Sequence, residues 1–200
     1  MNQQQEVKSE QDQLATPVPT TKKSKGLGVL FEIAFNFLTA VGVFFVFYFF
    51  IAQTNEVRGA SMQPTFYTGD RVITEKVSLY FTDVSRGDVV VVKSPQYSEP
   101  LIKRVVALPG ETIEIQNGDV YINGDVLSEP YLATGVMTTG QMFLHDGSPY
   151  KLLPDEYLVM GDNRPVSSDS RSWGTVTKKE IVGVVLFRYW PIDRVGVVKD

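Results

Sequence analysis

The hydropathy pattern changes twice along the chain, and the two changes divide it into three parts. Residues 1–26 are rich in Gln, Ser, Thr and Lys, carry Pro17 and Pro19, and show no apolar periodicity, so a disordered tail is expected there. From Ile33 to Asn55 there is no charge, and Phe and Val dominate. As a helix at about 1.5 Å per residue this run covers roughly 34 Å, enough to cross a bilayer, and it predicts a transmembrane helix over residues 27–55. It is longer than the roughly 7 to 15 apolar residues of a cleaved signal peptide. Beyond it come short segments of Val, Ile, Tyr and Phe between Gly, Asp, Asn and Pro, the pattern of half-buried strands. Strands are predicted over 70–77, 88–93, 101–107, 111–116, 119–122, 156–160 and 181–190. Asn117-Gly118 and Asn123-Gly124 each separate short alternating runs, and Asn-Gly favours the type I′ hairpin turn because both residues adopt positive φ. No later stretch keeps a 3.6-residue period, so residues 56–200 are expected to form a mainly-β domain. Tyr80-Phe81, after Leu79, is either core or an exposed apolar tip able to touch a lipid surface.

Composition narrows the function classes. A hydrophobic share of 43% with 21% charged residues suits a folded protein with one core. The net charge of -4, with no basic stripe, gives no reason to expect a nucleic-acid partner. The absence of cysteine excludes disulfides, thiolate nucleophiles and Cys-ligated zinc, and the single His145 excludes a multi-histidine metal site. Lys22, Lys23 and Lys25 precede the apolar run, against Glu56 and Arg58 after it. The positive-inside rule then places the N-terminus in the cytoplasm and the β domain on the outer face.

The candidate chemistry starts at Arg58-Gly59-Ala60-Ser61-Met62-Gln63-Pro64-Thr65-Phe66, a few residues past the apolar run. Ser61 is either a local turn former, with its hydroxyl bonded to its own backbone, or a nucleophile in need of a base. His145 lies in a turn-forming cluster expected on the surface. The remaining choice is a lysine, which must be largely neutral; desolvation lowers a lysine pKa from about 10.4 to as little as about 6, so the base belongs on an apolar strand. Lys178 and Lys179 sit in a charged turn, Lys199 is near the terminus and Lys151 follows a Pro-Tyr loop. Lys103, on one face with Leu101 and Val105, meets the requirement, although a lysine guarding an edge strand has the same pattern. The third stretch, from Gly161 to Arg171, is dense in short hydrogen-bonding side chains and suits the wall of a site that holds a neutral lysine.

Together these stretches resemble the type I signal peptidases, membrane-tethered serine proteases. Ser61-Met62-x-Pro64-Thr65 is similar to the nucleophile box. Gly69-Asp70-Arg71-Val72 and Arg86-Gly87-Asp88-Val89-Val90-Val91 are similar to the two segments that follow. Lys103 through Glu111 resembles the general-base box, and Gly161-Asp162-Asn163-Arg164 with Ser167, Asp169, Ser170 and Arg171 the last box. The resemblance implies a signal-peptidase-like β domain tethered by one N-terminal transmembrane helix, with no metal or cofactor. It implies that Ser61 attacks the scissile carbonyl while neutral Lys103 takes its proton, that Ser167 orients the lysine, and that Asp162 with Arg104 and Asp169 with Arg171 form supporting ion pairs. Val57, Met62, Phe66, Val91, Leu101 and Ile102 would wall two shallow pockets for Ala before the cut, next to the membrane surface. The implied partners are signal-peptide-bearing preproteins and a lipid bilayer, that of a bacterial plasma membrane or a thylakoid. Gly59 departs from relatives with a serine there that helps bind the oxyanion, and Pro165-Val166 from relatives with Asp-Asn. A rival expectation from another class is a silent tethered β domain that grips exported chains by strand addition. A third is a self-cleaving Ser-Lys regulator.

Overall fold

The structure, a computed structural model, describes residues 25–50 and 52–198, so residues 1–24 of the expected tail lie outside the described residues. The described residues fall into two compact units, divided between Phe44 and Phe45. Helix α1, Lys25–Phe50, is about 39 Å long at about 1.5 Å per residue, and its stretch Gly28–Val46 is long and apolar enough to cross a membrane. The boundary predicted at residue 55 is corrected here. The helix ends at Phe50, and the uncharged but polar Gln53, Thr54 and Asn55 belong to a strand, β1, Ala52–Glu56. Lack of charge extended the apolar run in the sequence, whereas pairing with the next strand decides where the helix stops.

The β unit continues with β2 (Arg71–Glu75), β3 (Val89–Val92), β4 (Leu101–Ala107), β5 (Thr112–Gln116), β6 (Asp119–Ile122) and β7 (Asp125–Val126). After them come β8 (Tyr150–Lys151), β9 (Glu156–Met160), β10 (Val176–Thr177), β11 (Ile181–Trp190) and β12 (Gly196–Val197). One sheet runs in the order β1-β2-β11-β3-β4-β9-β10, with β12 paired to β11; a second runs β7-β6-β5-β8. All pairs in these ladders are antiparallel, in keeping with the short connections. The Asn-Gly turns form as expected: Asn117 and Gly118 have φ of 53° and 92°, Asn123 and Gly124 of 52° and 93°.

Three predicted strands begin one residue late, for one shared reason. Asp70, Asp88 and Glu111 each accept the backbone N–H three residues earlier, from Tyr67, Ser85 and Leu108 at 3.0, 2.8 and 2.7 Å. A carboxylate that closes the preceding turn competes with the ladder for its own segment. Glu75 likewise ends β2 by accepting from the Ser78 N–H, which starts the short helix α2, Ser78–Phe81. Leu79 packs into the core, while Tyr80 and Phe81 are 83% and 81% exposed, so the apolar tip is present.

The buried side chains form three clusters. Ile113, Ile115 and Val120 of the smaller sheet pack with Leu152, just past β8, and with Val106, Leu158 and Met160. Val90, Val92, Val105 and Val159 form the second cluster, and Val57, Met62, Phe66, Val72, Val89 and Val91 the third. All four valines of β3 are buried, as expected for a strand covered on both faces. The third cluster lies directly under the turn that carries Ser61.

Candidate active site

Ser61 stands in the turn between β1 and β2, and four bonds fix that turn. The Phe66 N–H donates to Met62 O at 2.8 Å, and the Thr65 hydroxyl to Asp162 Oδ2 at 2.5 Å. The Asn163 N–H donates to Ser61 O at 2.9 Å, and the Asn163 side-chain amide to Ala60 O at 3.0 Å. Met62 and Phe66, each 1% exposed, anchor the turn in apolar packing and leave Ser61 half-buried. Gly161 adds a steric condition: a Cβ there would overlap both the Ser61 carbonyl oxygen and Ser167 Oγ. Only glycine allows the two segments to approach so closely.

Lys103 lies on β4 opposite Val90 and is 2% exposed. Its pKa falls from 10.5 to about 8, chiefly because burial strips water from the ammonium. Asp169 opposes the fall, Arg171 assists it, and Asp162 opposes it. The two carboxylates do not dominate because each is held by its own arginine. Arg104 bonds Asp162 through Nε and Nη2, both at 2.9 Å, and Arg171 bonds Asp169 through Nε and Nη2, both at 2.8 Å. All four side chains have no solvent exposure. Burial would raise the Asp169 pKa, but the Arg171 bonds and charge and the Gly161 N–H overcome it and lower the value. Asp169 also caps the short helix α3, Ser170–Trp173, by accepting the Arg171 N–H. Ser167 is 3% exposed, and its N–H and that of Val166 both donate to Asn163 O, so Pro165-Val166 sit in a tight backbone turn.

A cavity of about 340 Å³ opens at Ser61, and its lining includes Val57, Met62, Val91, Leu101 and Ile102. Phe66, the sixth expected wall residue, is not among the lining; it packs in the cluster with Val57, Met62 and Val91. Thr54, Asn55, Glu56, Arg58, Glu99 and Pro100 complete the lining. β1 is the edge of its sheet, and the β9 ladder on β4 begins only at Arg104, so among the described residues the outer edge of β1 and the start of β4 on its β9 side have no ladder partner. Gly59 has φ of +90°, a conformation a serine side chain would strain, which accounts for the glycine at that position. His145 is exposed in its turn.

The sequence-based expectation missed several residues in this arrangement. Thr65 and Asn163 were legible as parts of boxes but not as tethers of the Ser61 turn. Glu129, Tyr131 and Thr138, in a stretch without pattern, bond or stack on arginines at the site.

The sequence profile described as "Signal peptidase, peptidase S26" matches residues 30–190. The chain belongs to the signal peptidase family. It is 34% identical over 185 residues to a probable signal peptidase I-2 of Synechocystis sp., covering 90% of this chain and 82% of that one. It is 37% identical over 155 residues to a signal peptidase I of Leptolyngbya laminosa, with 74% and 73% covered. A signal peptidase I P of Bacillus subtilis subsp. natto is 36% identical over 166 residues, with 81% and 90% covered. Membership makes the chain a peptidase of the signal peptidase I type, acting on the signal peptides of preproteins.

Proposed function

We propose that this peptidase is a single-pass membrane endopeptidase that cuts after Ala-x-Ala-type sites with a Ser61-Lys103 dyad. The observation that carries the reading is the burial of Lys103 with its lowered pKa, on the strand whose start lines the same cavity as Ser61. In the reaction, Ser61 Oγ attacks the scissile carbonyl carbon and neutral Lys103 Nζ accepts the hydroxyl proton. The proton then passes to the leaving amine as the C–N bond breaks, and water, deprotonated by the same lysine, releases the acyl group. Ser167 helps to aim the lysine. The oxyanion is held by the Ser61 N–H and a donor other than a side chain at position 59, where glycine stands. The preprotein chain adds as a strand between the free edges of β1 and the start of β4. Val57, Met62, Val91, Leu101 and Ile102 then leave room for small side chains and exclude large ones.

Residues Lys25–Phe50 serve as the membrane span, with the lysine-rich N-terminal side in the cytoplasm and residues 52–200 on the outer face. The test is cleavage of a preprotein with an Ala-x-Ala site by the detergent-purified protein, with the new N-terminus read by mass spectrometry. Ser61→Ala and Lys103→Ala are expected to lose at least about 10⁴-fold in rate while remaining folded. Turnover retained in either variant removes the dyad. Binding without cutting by the parent would support the silent gripping domain instead.

A further inference from the structure

The segment from Glu129 to Thr138, for which pattern and composition gave no role, closes onto two arginines of the site. The Tyr131 ring lies 4.0 Å from the Arg104 guanidinium, which is the partner of Asp162. The Tyr131 hydroxyl donates to Glu129 Oε1 at 2.6 Å, and the Glu129 carboxylate receives both Arg164 Nη1, at 3.1 Å, and Arg164 Nη2. Arg164 is 1% exposed, and it donates further to Thr138 Oγ1 at 2.5 Å and to the Gly161 carbonyl at 3.1 Å. The segment 161–164 is thus held on both sides: Arg104 grips Asp162, and Arg164 is folded back on Gly161. From it the Asp162 and Asn163 bonds lead to the Ser61 turn, at Thr65 Oγ1, Ser61 O and Ala60 O.

We propose that Glu129 and Tyr131 are positioning residues for peptide-bond cleavage, holding Arg164 and Arg104 so that the segment 161–164 keeps the Ser61 turn in attacking position. This inference rests on Ser61 and Lys103 as the reacting pair. A guanidinium covered by a ring is screened from water, and its bonds to a carboxylate are stronger in that low dielectric. Burial and Glu129 push the Tyr131 phenol well above its ordinary value, so it stays a donor throughout the working range. A nucleophile displaced by about 1 Å loses about 100-fold in rate, so a loosened tether is read at the reaction rather than in the fold. With the ring gone, water reaches the Arg104–Asp162 pair, the carboxylate is less fully neutralised by its arginine, and Lys103 regains protons.

The experiment compares full-length, detergent-purified Tyr131→Phe, Tyr131→Leu and Glu129→Gln with the parent, each normalised to folded protein by circular dichroism. Tyr131→Phe keeps the ring and is expected within about threefold of parent kcat. Tyr131→Leu and Glu129→Gln are expected to lose about tenfold in kcat with KM within about threefold. The acidic limb of kcat/KM in Tyr131→Leu should also move upward by at least about half a pH unit. Parent-like kcat in Tyr131→Leu and Glu129→Gln, with the limb unmoved, overturns the proposal. If Tyr131→Leu does not fold, Glu129→Gln decides alone: a tenfold fall at unchanged KM supports the role and a parent-like kcat refutes it. Turnover in Ser61→Ala or Lys103→Ala would instead remove the dyad itself. Inactive dyad variants beside parent-like Tyr131→Leu and Glu129→Gln remove only the positioning role.

Discussion

At the scale of the single residue, the proposed dyad turns on Lys103, whose use as a base depends on its being uncharged. Its neighbours are balanced so that desolvation wins: two carboxylates lie near, but each is neutralised by an arginine with which it shares two hydrogen bonds. In the proposed dyad the neutral form is the base, and below a pKa of about 8 that form is lost to protonation. The acidic limb of kcat/KM is therefore expected to bend near pH 8 and to fall about tenfold per pH unit below it. A profile between pH 6 and 10 checks this; a flat response across pH 7 to 9 would exclude Lys103 as the titrating base. The burial of Lys103 was legible in the sequence, since its apolar neighbours Leu101 and Val105 imply it. Tyr131 was not, because nothing local to it announces the Arg104 guanidinium it covers.

Among the elements, the 161–171 segment does most to assemble the site. Gly161 gives its N–H to Asp169 and admits the Ser61 carbonyl, Asp162 and Asn163 tie the Ser61 turn, and Asp169 caps α3. Adding one methyl group at Gly161 should separate the two segments. Gly161→Ala is expected to lower kcat at least about tenfold and stability by about 1 to 3 kcal/mol, the cost of overpacking a tight contact. Steady-state kinetics and denaturant unfolding read the two effects; parent-like activity would mean that the close approach has no bearing on Ser61. The segment was recognisable as polar and loop-like, and its motif marked it as a site wall. Its hydrogen-bond partners on β4 and in the Ser61 turn came only with the fold.

For the whole molecule, β1 has a double part, since it follows directly on the helix and also forms one wall of the cavity. Its five pairs with β2, from Ala52 with Glu75 to Glu56 with Arg71, tie that wall to the sheet. Two shortened chains separate the roles. One beginning at Ala52 keeps the wall and is expected to cut a soluble peptide substrate in detergent. One beginning at Val57 loses Thr54, Asn55 and Glu56, and its kcat/KM is expected to fall at least about tenfold. Equal kcat/KM values would show that β1 makes no contribution to substrate binding. The uncharged composition of 51–55 concealed this strand by prolonging the apolar run before it.

What the sequence determined alone was whatever depends on local pattern: the apolar helix, seven of the eight longer strands, both Asn-Gly turns, and the family membership carried by motifs. Those follow from periodicity, turn chemistry and residue type, which act over a few positions. Tertiary structure decided what depends on partners distant in the chain. The short strands Asp125–Val126, Tyr150–Lys151, Val176–Thr177 and Gly196–Val197 exist only because a neighbour supplies their hydrogen bonds. The same holds for the withdrawal of Phe66 from the cavity lining, the close contact at Gly161, and the hold of Glu129 and Tyr131 on their arginines. Each is set by packing between segments, and no local pattern encodes which segment will arrive.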